Sequence, residues 1–170
     1  MTKTFRKFAF VTILFFAFGL NACLNTEEVP VRTAADEQLE LDEVVGNLIE
    51  KGYNVDTTAL GSYYVINKTG EGEYPKAGDT VSIIYTGFFL SGSIFDASYY
   101  YYNDSIWKFV FKSQSLISGF DEAISLLNKG AEADFIIPSE LGYGAGGYSE
   151  IPAYTPLGFN LKMRDINPKN

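Results

Sequence analysis

The alternation of hydrophobic and polar residues divides the chain into an apolar leader, a polar stretch, an amphipathic helix and a long β-rich region. The leader, Phe8 to Leu20, is a run of 13 mostly apolar residues that follows three basic ones. Such a run is short for a membrane span and typical of the central part of a signal peptide. The following residues are polar, include Pro30 and lack periodicity, which predicts a flexible tether over residues 23–35.

The leader ends at Leu20-Asn21-Ala22-Cys23, which resembles the lipobox of bacterial lipoproteins. In that motif the signal peptide, here residues 1–22, is removed and the cysteine is lipidated. Cys23 is the only cysteine, and a lone free thiol is a liability in an oxidising compartment, which favours lipidation. The alternative is a plain secretory signal with an incidental cysteine. The lipobox predicts a lipid anchor in the bacterial cell envelope, with the protein facing the periplasm or the cell exterior.

Apolar residues return at helical spacing between Asp36 and Lys51, with acidic residues early and Gly52 as a stop signal. The pattern predicts one amphipathic helix of about four turns within a segment at residues 36–60 that also includes a linker. Docking on the main domain is favoured, because a single helix with a short apolar stripe is marginal alone. A spacer arm or a weak dimer contact through this helix is the alternative.

After Gly61 the pattern changes to short β-branched and aromatic segments separated by glycine and proline turns. The predicted strands are residues 62–66, 80–89, 94–96, 107–111, 133–137 and 157–166. One further helix is predicted at residues 119–128, with acidic residues in its first turn and Lys129-Gly130 as its stop signal. These elements predict an α+β fold, an antiparallel sheet with one short helix laid across it.

Composition narrows the chemistry more than it identifies it. The chain has no histidine and one cysteine, which excludes histidine bases, histidine-ligated metals, internal disulfides and Ser-His or Cys-His nucleophile pairs. Removal of residues 1–22 leaves 10 basic against 21 acidic residues, a net charge of −11 that would repel nucleic acid. The 14 Phe and 12 Tyr indicate either a packed β-core or an aromatic-lined site.

A series of short motifs follows in order along the β-rich region. They are Gly70-Glu71-Gly72, Tyr85-Thr86-Gly87, Phe95-Asp96-Ala97-Ser98, Leu116-Ile117-Ser118-Gly119-Phe120, Ile137-Pro138, Leu141-Gly142-Tyr143-Gly144, Ile151-Pro152 and Leu157-Gly158-Phe159. In this order and spacing they resemble the FKBP-type peptidyl-prolyl isomerases over residues 60–168. The resemblance implies a domain at residues 61–170 with a strongly bent antiparallel β-sheet wrapped around one short α-helix, preceded by the N-terminal helix.

The resemblance also implies a proline-binding pocket. The positions that the resemblance implies to be catalytic are Tyr85, Phe95, Asp96, Ile117, Tyr143 and Phe159. Positions matching further substrate-binding residues are Trp107, Leu116, Phe120 and Ile151. In the family, apolar members cradle the proline ring, while the N–H matching Ile117 and the hydroxyl matching Tyr143 bond to substrate carbonyls. Taken singly, Tyr85 and Phe159 also fit core aromatics and Asp96 fits a turn residue, so the assignment depends on their joint occurrence.

The sequence departs from the family pattern at the pocket. Phe120 stands where the best-known members have tryptophan, and Trp107 stands where phenylalanine is common. The segment between Asp96 and Trp107 is about two residues longer than in the minimal family domain and carries Tyr99 to Tyr102 in succession. Alternation along a strand would bury about two of these four. The others are predicted to form a peptide-gripping surface at the pocket mouth; a structural strand or bulge is the alternative.

The implied function is a peptidyl-prolyl cis-trans isomerase that assists the folding of exported proteins. Its expected partners are proline-containing segments of those proteins and, through the lipid on Cys23, the membrane. No cofactor, metal or nucleic acid is expected, since rotation of an amide needs no nucleophile. Two alternatives remain open: a non-catalytic module that binds proline peptides or acts as a chaperone, and a structural subunit of an envelope complex.

Overall fold

The computed structural model describes residues 31–169. The predicted signal peptide, Cys23 and most of the predicted tether lie outside the described residues. The helices and strands of the described part are α1 Ala34–Glu50, β1 Asp56–Thr57, β2 Tyr63–Lys68, β3 Thr80–Phe89, β4 Ile94–Ala97, β5 Trp107–Val110, α2 Ser118–Ser125, β6 Glu132–Ile137 and β7 Leu157–Asn167. Neither helix in this range has the length and apolar character that crossing a membrane requires.

All the strands belong to one antiparallel sheet with the order β1-β2-β6-β7-β3-β4, and β5 also pairs with β3. Strands β4 and β5 pair with the same edge of β3. Strand β5 lies beside residues 80–83 and β4 beside residues 86–88. The register of β3 shifts against β7 after Ser82 and against β4 after Gly87. Such bulges increase the local bend and twist of a strand.

The core lies between the sheet and α2. Alternate residues of β3 are buried on one face, beginning with Val81 and Ile83, and α2 contributes Ala123 and Ile124 to the same cluster. This is the period of two expected for a strand with one buried face. The prediction of an α+β fold with a bent antiparallel sheet around one short helix, preceded by an N-terminal helix, is confirmed.

Three details differ from the predicted elements. Helix α2 ends at Ser125 rather than at residue 128. The two-residue strand β1 was not predicted, because its only ordered feature is its pairing with β2. The tyrosine run, predicted as a loop with a structural strand or bulge as the alternative, begins in a single 3-10 turn at Ser98–Tyr100.

Helix α1 is docked on the sheet domain through its first half. It starts with a capping box in which Thr33 and Asp36 bond to each other's backbone N–H groups, and this arrangement fixes the start of the helix. Leu41 is buried, and the Glu37 carboxylate is buried against Ser139. These contacts match the docking interpretation of α1.

Candidate active site

A cavity of about 580 Å³ opens between the β3–β4–β5 edge of the sheet and the start of α2. Nine of the ten predicted site residues line it: Tyr85, Phe95, Asp96, Trp107, Leu116, Ile117, Phe120, Tyr143 and Phe159. The tenth, Ile151, is buried in the core and does not line the cavity. The structure thus brings together residues from five separate elements, while their roles in binding and turnover stay predictions.

The floor of the cavity consists of three buried aromatic side chains, Tyr85, Phe120 and Phe159. The Phe120 ring meets Phe159 edge-on at 4.9 Å between ring centroids and Tyr85 edge-on at 5.7 Å. Edge-to-face pairs of this kind are the favoured aromatic geometry. The floor is therefore apolar and held by its own packing, with Phe120 in contact with both other rings.

Gly87 leaves room for two aromatic rings of the cavity wall to pack directly against β3. The rings of Phe95 and Phe159 pack edge-to-face, with centroids 5.7 Å apart, directly above this glycine. A Cβ at Gly87 would lie 2.7 Å from the Phe95 ring and 2.9 Å from the Phe159 ring. Because both distances are far below van der Waals contact, any side chain here would displace the two rings.

One hydrogen bond joins the floor to the only carboxylate of the cavity. The Tyr85 hydroxyl donates to Oδ2 of Asp96 over 2.9 Å. The other carboxylate oxygen, Oδ1, is buried, and no donor within residues 31–169 reaches it. Burial and then the bond to Asp96 raise the pKa of Tyr85, so this hydroxyl remains protonated at neutral pH. Asp96 lies inside β4 and bonds across to β3, which differs from a turn residue bonding its own backbone.

Helix α2 presents a free backbone donor to the cavity. Ile117 is its N-cap residue, with φ −62° and ψ 141°, and its carbonyl accepts bonds from the N–H groups of Phe120 and Asp121. The N–H of Ile117 itself forms no hydrogen bond within the described part of the chain. A donor at a helix N-terminus is well placed to bind a carbonyl oxygen or a negative charge.

A pair of stacked tyrosines forms one side of the cavity mouth. The rings of Tyr143 and Tyr148 lie 5.1 Å apart at an angle of 13°. Burial, followed by the charge of Asp96, raises the pKa of the Tyr143 hydroxyl, so it too remains a donor at neutral pH. Tyr148 was not predicted as a site residue. A two-residue bridge between Tyr148 and Ile151 turns the loop back so that Tyr148, rather than Ile151, faces the cavity.

The four successive tyrosines form an aromatic row near the cavity. Their exposed fractions lie between 36% and 68%, so all four lie outside the core rather than the two that strand alternation predicts. Consecutive rings are 4.7 to 6.5 Å apart. The row follows directly after β4, whose Asp96 lines the cavity. The charge of Asp96 raises the pKa of the Tyr101 hydroxyl. Tyr99 to Tyr102 and the pair Tyr143 and Tyr148 are called the rim below.

The charged groups that line the cavity are few. Asp96 is the single carboxylate among the lining residues. Across residues 31–169, no cluster of three or more possible ligand side chains is placed to hold an ion. The arrangement provides an apolar floor, one carboxylate, one free backbone N–H and several hydroxyl groups.

Comparison with known proteins identifies the family. A family model for FKBP-type peptidyl-prolyl cis-trans isomerases matches residues 71–164. The chain belongs to this family. A probable FKBP-type isomerase from Haemophilus influenzae is 36% identical over 121 residues, which cover 71% of this chain and 48% of that protein. FkpA of Escherichia coli is 30% identical over 153 residues, covering 85% of this chain and 55% of FkpA.

Solved FKBP-type structures share the fold. The crystal structure of FkpA from Escherichia coli has a TM-score of 0.68 and 32% identity, with 79% of this chain and 61% of that chain covered. A peptidyl-prolyl cis-trans isomerase from Pseudomonas syringae has a TM-score of 0.67 and 28% identity. The match covers 82% of this chain and 98% of the Pseudomonas chain. The chain spans about half the length of the curated relatives it matches, and nearly all of the Pseudomonas chain.

Proposed function

We propose that this FKBP-family protein is a peptidyl-prolyl cis-trans isomerase that accelerates rotation about Xaa-Pro bonds in exported proteins. The observation that carries the proposal is the Tyr85–Asp96 pair, set in an aromatic cavity that also holds the free N–H of Ile117. Membership of the family supports the same activity. Because uncatalysed isomerisation takes about tens to hundreds of seconds, it can limit folding.

The cavity suits a reaction in which no covalent bond is made or broken. Rotation of an amide requires loss of its resonance, with a barrier of about 18–20 kcal/mol. The twisted amide carries less charge separation than the planar one, so an apolar, water-poor environment favours it relative to water. The floor of Tyr85, Phe120 and Phe159 supplies that environment around the proline ring. Binding of the neighbouring residues then supplies free energy toward the rotated geometry.

The polar groups hold the peptide while the bond rotates. The Ile117 N–H and the Tyr143 hydroxyl would donate to carbonyl oxygens on either side of the proline. The unpartnered Oδ1 of Asp96 would accept a bond from a substrate N–H. Tyr85 keeps the Asp96 carboxylate in place through its 2.9 Å bond, and none of these groups needs to transfer a proton.

A proline-limited refolding assay, or an assay with a short Xaa-Pro peptide, on residues 24–170 tests the activity. Asp96→Ala removes a charged hydrogen-bond partner and should lower kcat/KM by about 10- to 100-fold. Tyr143→Phe removes one neutral donor and should lower it by about 5-fold. Asp42→Ala and Tyr74→Phe are matched controls, since both residues are exposed and lie outside the cavity.

The outcomes separate the competing functions. Refolding at the uncatalysed rate with intact peptide binding would refute the enzyme hypothesis and favour a non-catalytic binding module or chaperone. Absence of both turnover and peptide binding would favour the third hypothesis, a structural subunit of an envelope complex. Turnover that is insensitive to both Asp96→Ala and Tyr143→Phe would retain the enzyme and refute the site assignment.

The exposed tyrosine row supports a finer proposal about how substrate is held. Tyr99 to Tyr102 present aromatic faces and hydroxyl groups beside the cavity. Such side chains supply large contact areas at low entropic cost. We infer that they bind the residues flanking the proline in an extended, unfolded client.

The location of the protein is proposed from the sequence alone. The basic start, the apolar run and the motif ending at Cys23 favour export and lipidation, and the matched relatives named above come from bacteria. Expression of the full chain with labelled palmitate tests this. The label should enter the wild-type chain and not Cys23→Ser, while the variant should leave the membrane fraction. Equal labelling of both chains would refute lipidation at Cys23.

A further inference from the structure

Helix α1 is attached to the domain at two points that bracket one loop. The Glu37 carboxylate accepts bonds from the Ser139 N–H at 2.5 Å and from the Ser139 hydroxyl at 2.6 Å. Just before the helix, the Arg32 guanidinium donates to the carbonyl of Tyr154 over 2.7 Å and also pairs with Glu40. Glu37 is only 7% exposed, so its two charge-assisted bonds lie largely outside water.

The bracketed loop, residues 139–154, carries one side of the cavity mouth. Tyr143 and Tyr148 line the cavity on its front. On its back, Leu141 and Gly144 line a second crevice of about 630 Å³, whose opposite side is the first half of α1. The loop therefore separates two open spaces. Ile151 anchors it in the core, whereas most of residues 145–150 are exposed.

Five backbone hydrogen bonds lie within the loop. They include the Tyr148–Ile151 bridge and a bond from the Tyr154 N–H to the Gly144 carbonyl. Loops with few buried contacts open locally at low free-energy cost. The attachments at Ser139 and Tyr154 lie where the loop leaves and rejoins the rest of the fold, so they limit the motion of everything between them.

We propose that Glu37 and Arg32 are positioning residues, which act as a staple across the ends of the 139–154 loop and hold Tyr143 and Tyr148 in the geometry that binds substrate. This inference rests on the proposed isomerase function for its catalytic consequence. The staple itself is a property of the folded chain and can be measured without substrate. Neither residue touches the cavity, so any effect on turnover must pass through the loop.

Amide hydrogen exchange on residues 24–170 tests the staple directly. In Glu37→Ala the N–H groups of Tyr148 and Tyr154 should exchange about 10- to 100-fold faster, as expected when a buried charged hydrogen bond is lost. The amides shared by β3 and β7 should keep their protection. Glu43→Ala is the matched control, because Glu43 is an exposed carboxylate on the same helix.

Kinetics with a short Xaa-Pro peptide test the consequence for the site. We expect Glu37→Ala and Arg32→Ala to raise KM several-fold with a smaller change in kcat. Glu37→Gln, which keeps an acceptor for the Ser139 N–H, should recover most of the loss. Wild-type exchange at Tyr148 and Tyr154 in both alanine variants would overturn the staple. Faster exchange with unchanged KM would overturn its role in substrate binding.

Two further controls keep these outcomes separate. If Glu37→Ala loses protection in β3 and β7 as well, the fold has opened and the decision passes to Arg32→Ala and Ser139→Ala. Faster exchange confined to Tyr148 and Tyr154 in those two variants would support the staple, and unchanged exchange there would overturn the staple. A wild-type chain with no isomerase activity would refute the proposed function, while the exchange results would still decide the staple.

Discussion

The floor and the rim of the cavity are both aromatic, yet they differ in what holds them. Tyr85, Phe120 and Phe159 are at most 7% exposed and pack against each other and the core. The rim tyrosines lie on two loops, and Tyr148 is 65% exposed. Floor residues therefore belong to both the fold and the site, whereas rim residues belong mainly to the site. This difference predicts which substitutions change stability and which change only binding.

The largest effect is expected at the floor. Phe159→Ala should lower the free energy of unfolding by about 3–5 kcal/mol, because a buried ring is replaced by a cavity. Phe135→Ala is the matched control, since its ring is fully buried in the same core but does not line the cavity. Urea denaturation should show similar losses for both. Peptide binding by the folded protein should fall only in Phe159→Ala, and equal binding in both variants would break the distinction.

A smaller loss is expected beneath the wall. Gly87→Ala forces the Phe95 and Phe159 rings apart and should cost about 1–3 kcal/mol, as overpacking does. Gly46→Ala in α1 is the opposite case, because nothing lies within 4 Å of a Cβ there. That variant should stabilise the protein by about 0.5–1 kcal/mol. Thermal unfolding measures the change in stability of both variants. Unchanged stability in Gly87→Ala would show that the Phe95 and Phe159 rings can move apart at little cost.

The pH dependence of stability tests the Tyr85–Asp96 link. Burial and the bond to Asp96 raise the folded-state pKa of Tyr85 above its ordinary value of 10.0. Above pH 10 the unfolded chain loses this proton first, so the free energy of unfolding should fall as pH rises, by up to about 1.4 kcal/mol per pH unit. Urea denaturation between pH 9 and 11 should show a shallower slope in Tyr85→Phe. Identical slopes would mean that Tyr85 titrates like an exposed tyrosine.

The smallest effect on stability is expected at the rim. A chain with both Tyr100→Ser and Tyr101→Ser should change the free energy of unfolding by no more than about 0.5 kcal/mol per site. Its affinity for a peptide with several residues on each side of proline should fall about 3- to 10-fold. Tyr74→Ser is the control, since it is an exposed tyrosine outside the cavity. Isothermal titration measures the peptide affinity of the double variant and of the control. Unchanged affinity in the double variant would refute a peptide-gripping role for the tyrosine row.

The sequence predicted the strands well because their pattern is local. Strand β3 has the predicted bounds, since β-branched and aromatic residues continue from Thr80 to Phe89. The predicted end of α2 was three residues too late, because the buried Leu127 continues the apolar period after the helical bonds have stopped. Strand β1 has no pattern of its own and depends on a partner six or more residues away.

The site was predictable where it coincides with the sheet and α2, and less so where it depends on loops. Nine of the ten residues implied by the family resemblance line the cavity. Tyr148 was missed and Ile151 was placed there instead, because a bridge inside a glycine-rich loop exchanges their orientations. The bond between Glu37 and Ser139 joins residues 102 positions apart, and no periodicity in the sequence indicates such a pair.

The attachment of the rim to loops has an evolutionary consequence. Under the proposed function, a substitution in the floor must satisfy the core and the bound proline at once, so few alternatives are open to a descendant of this chain. A substitution in Tyr99 to Tyr102 meets mainly solvent, neighbouring rings and the charge of Asp96, so it has little effect on the fold. Under the same proposal, a lineage that needs new client proteins can change its preference one rim residue at a time, while the rotating bond continues to meet the same floor.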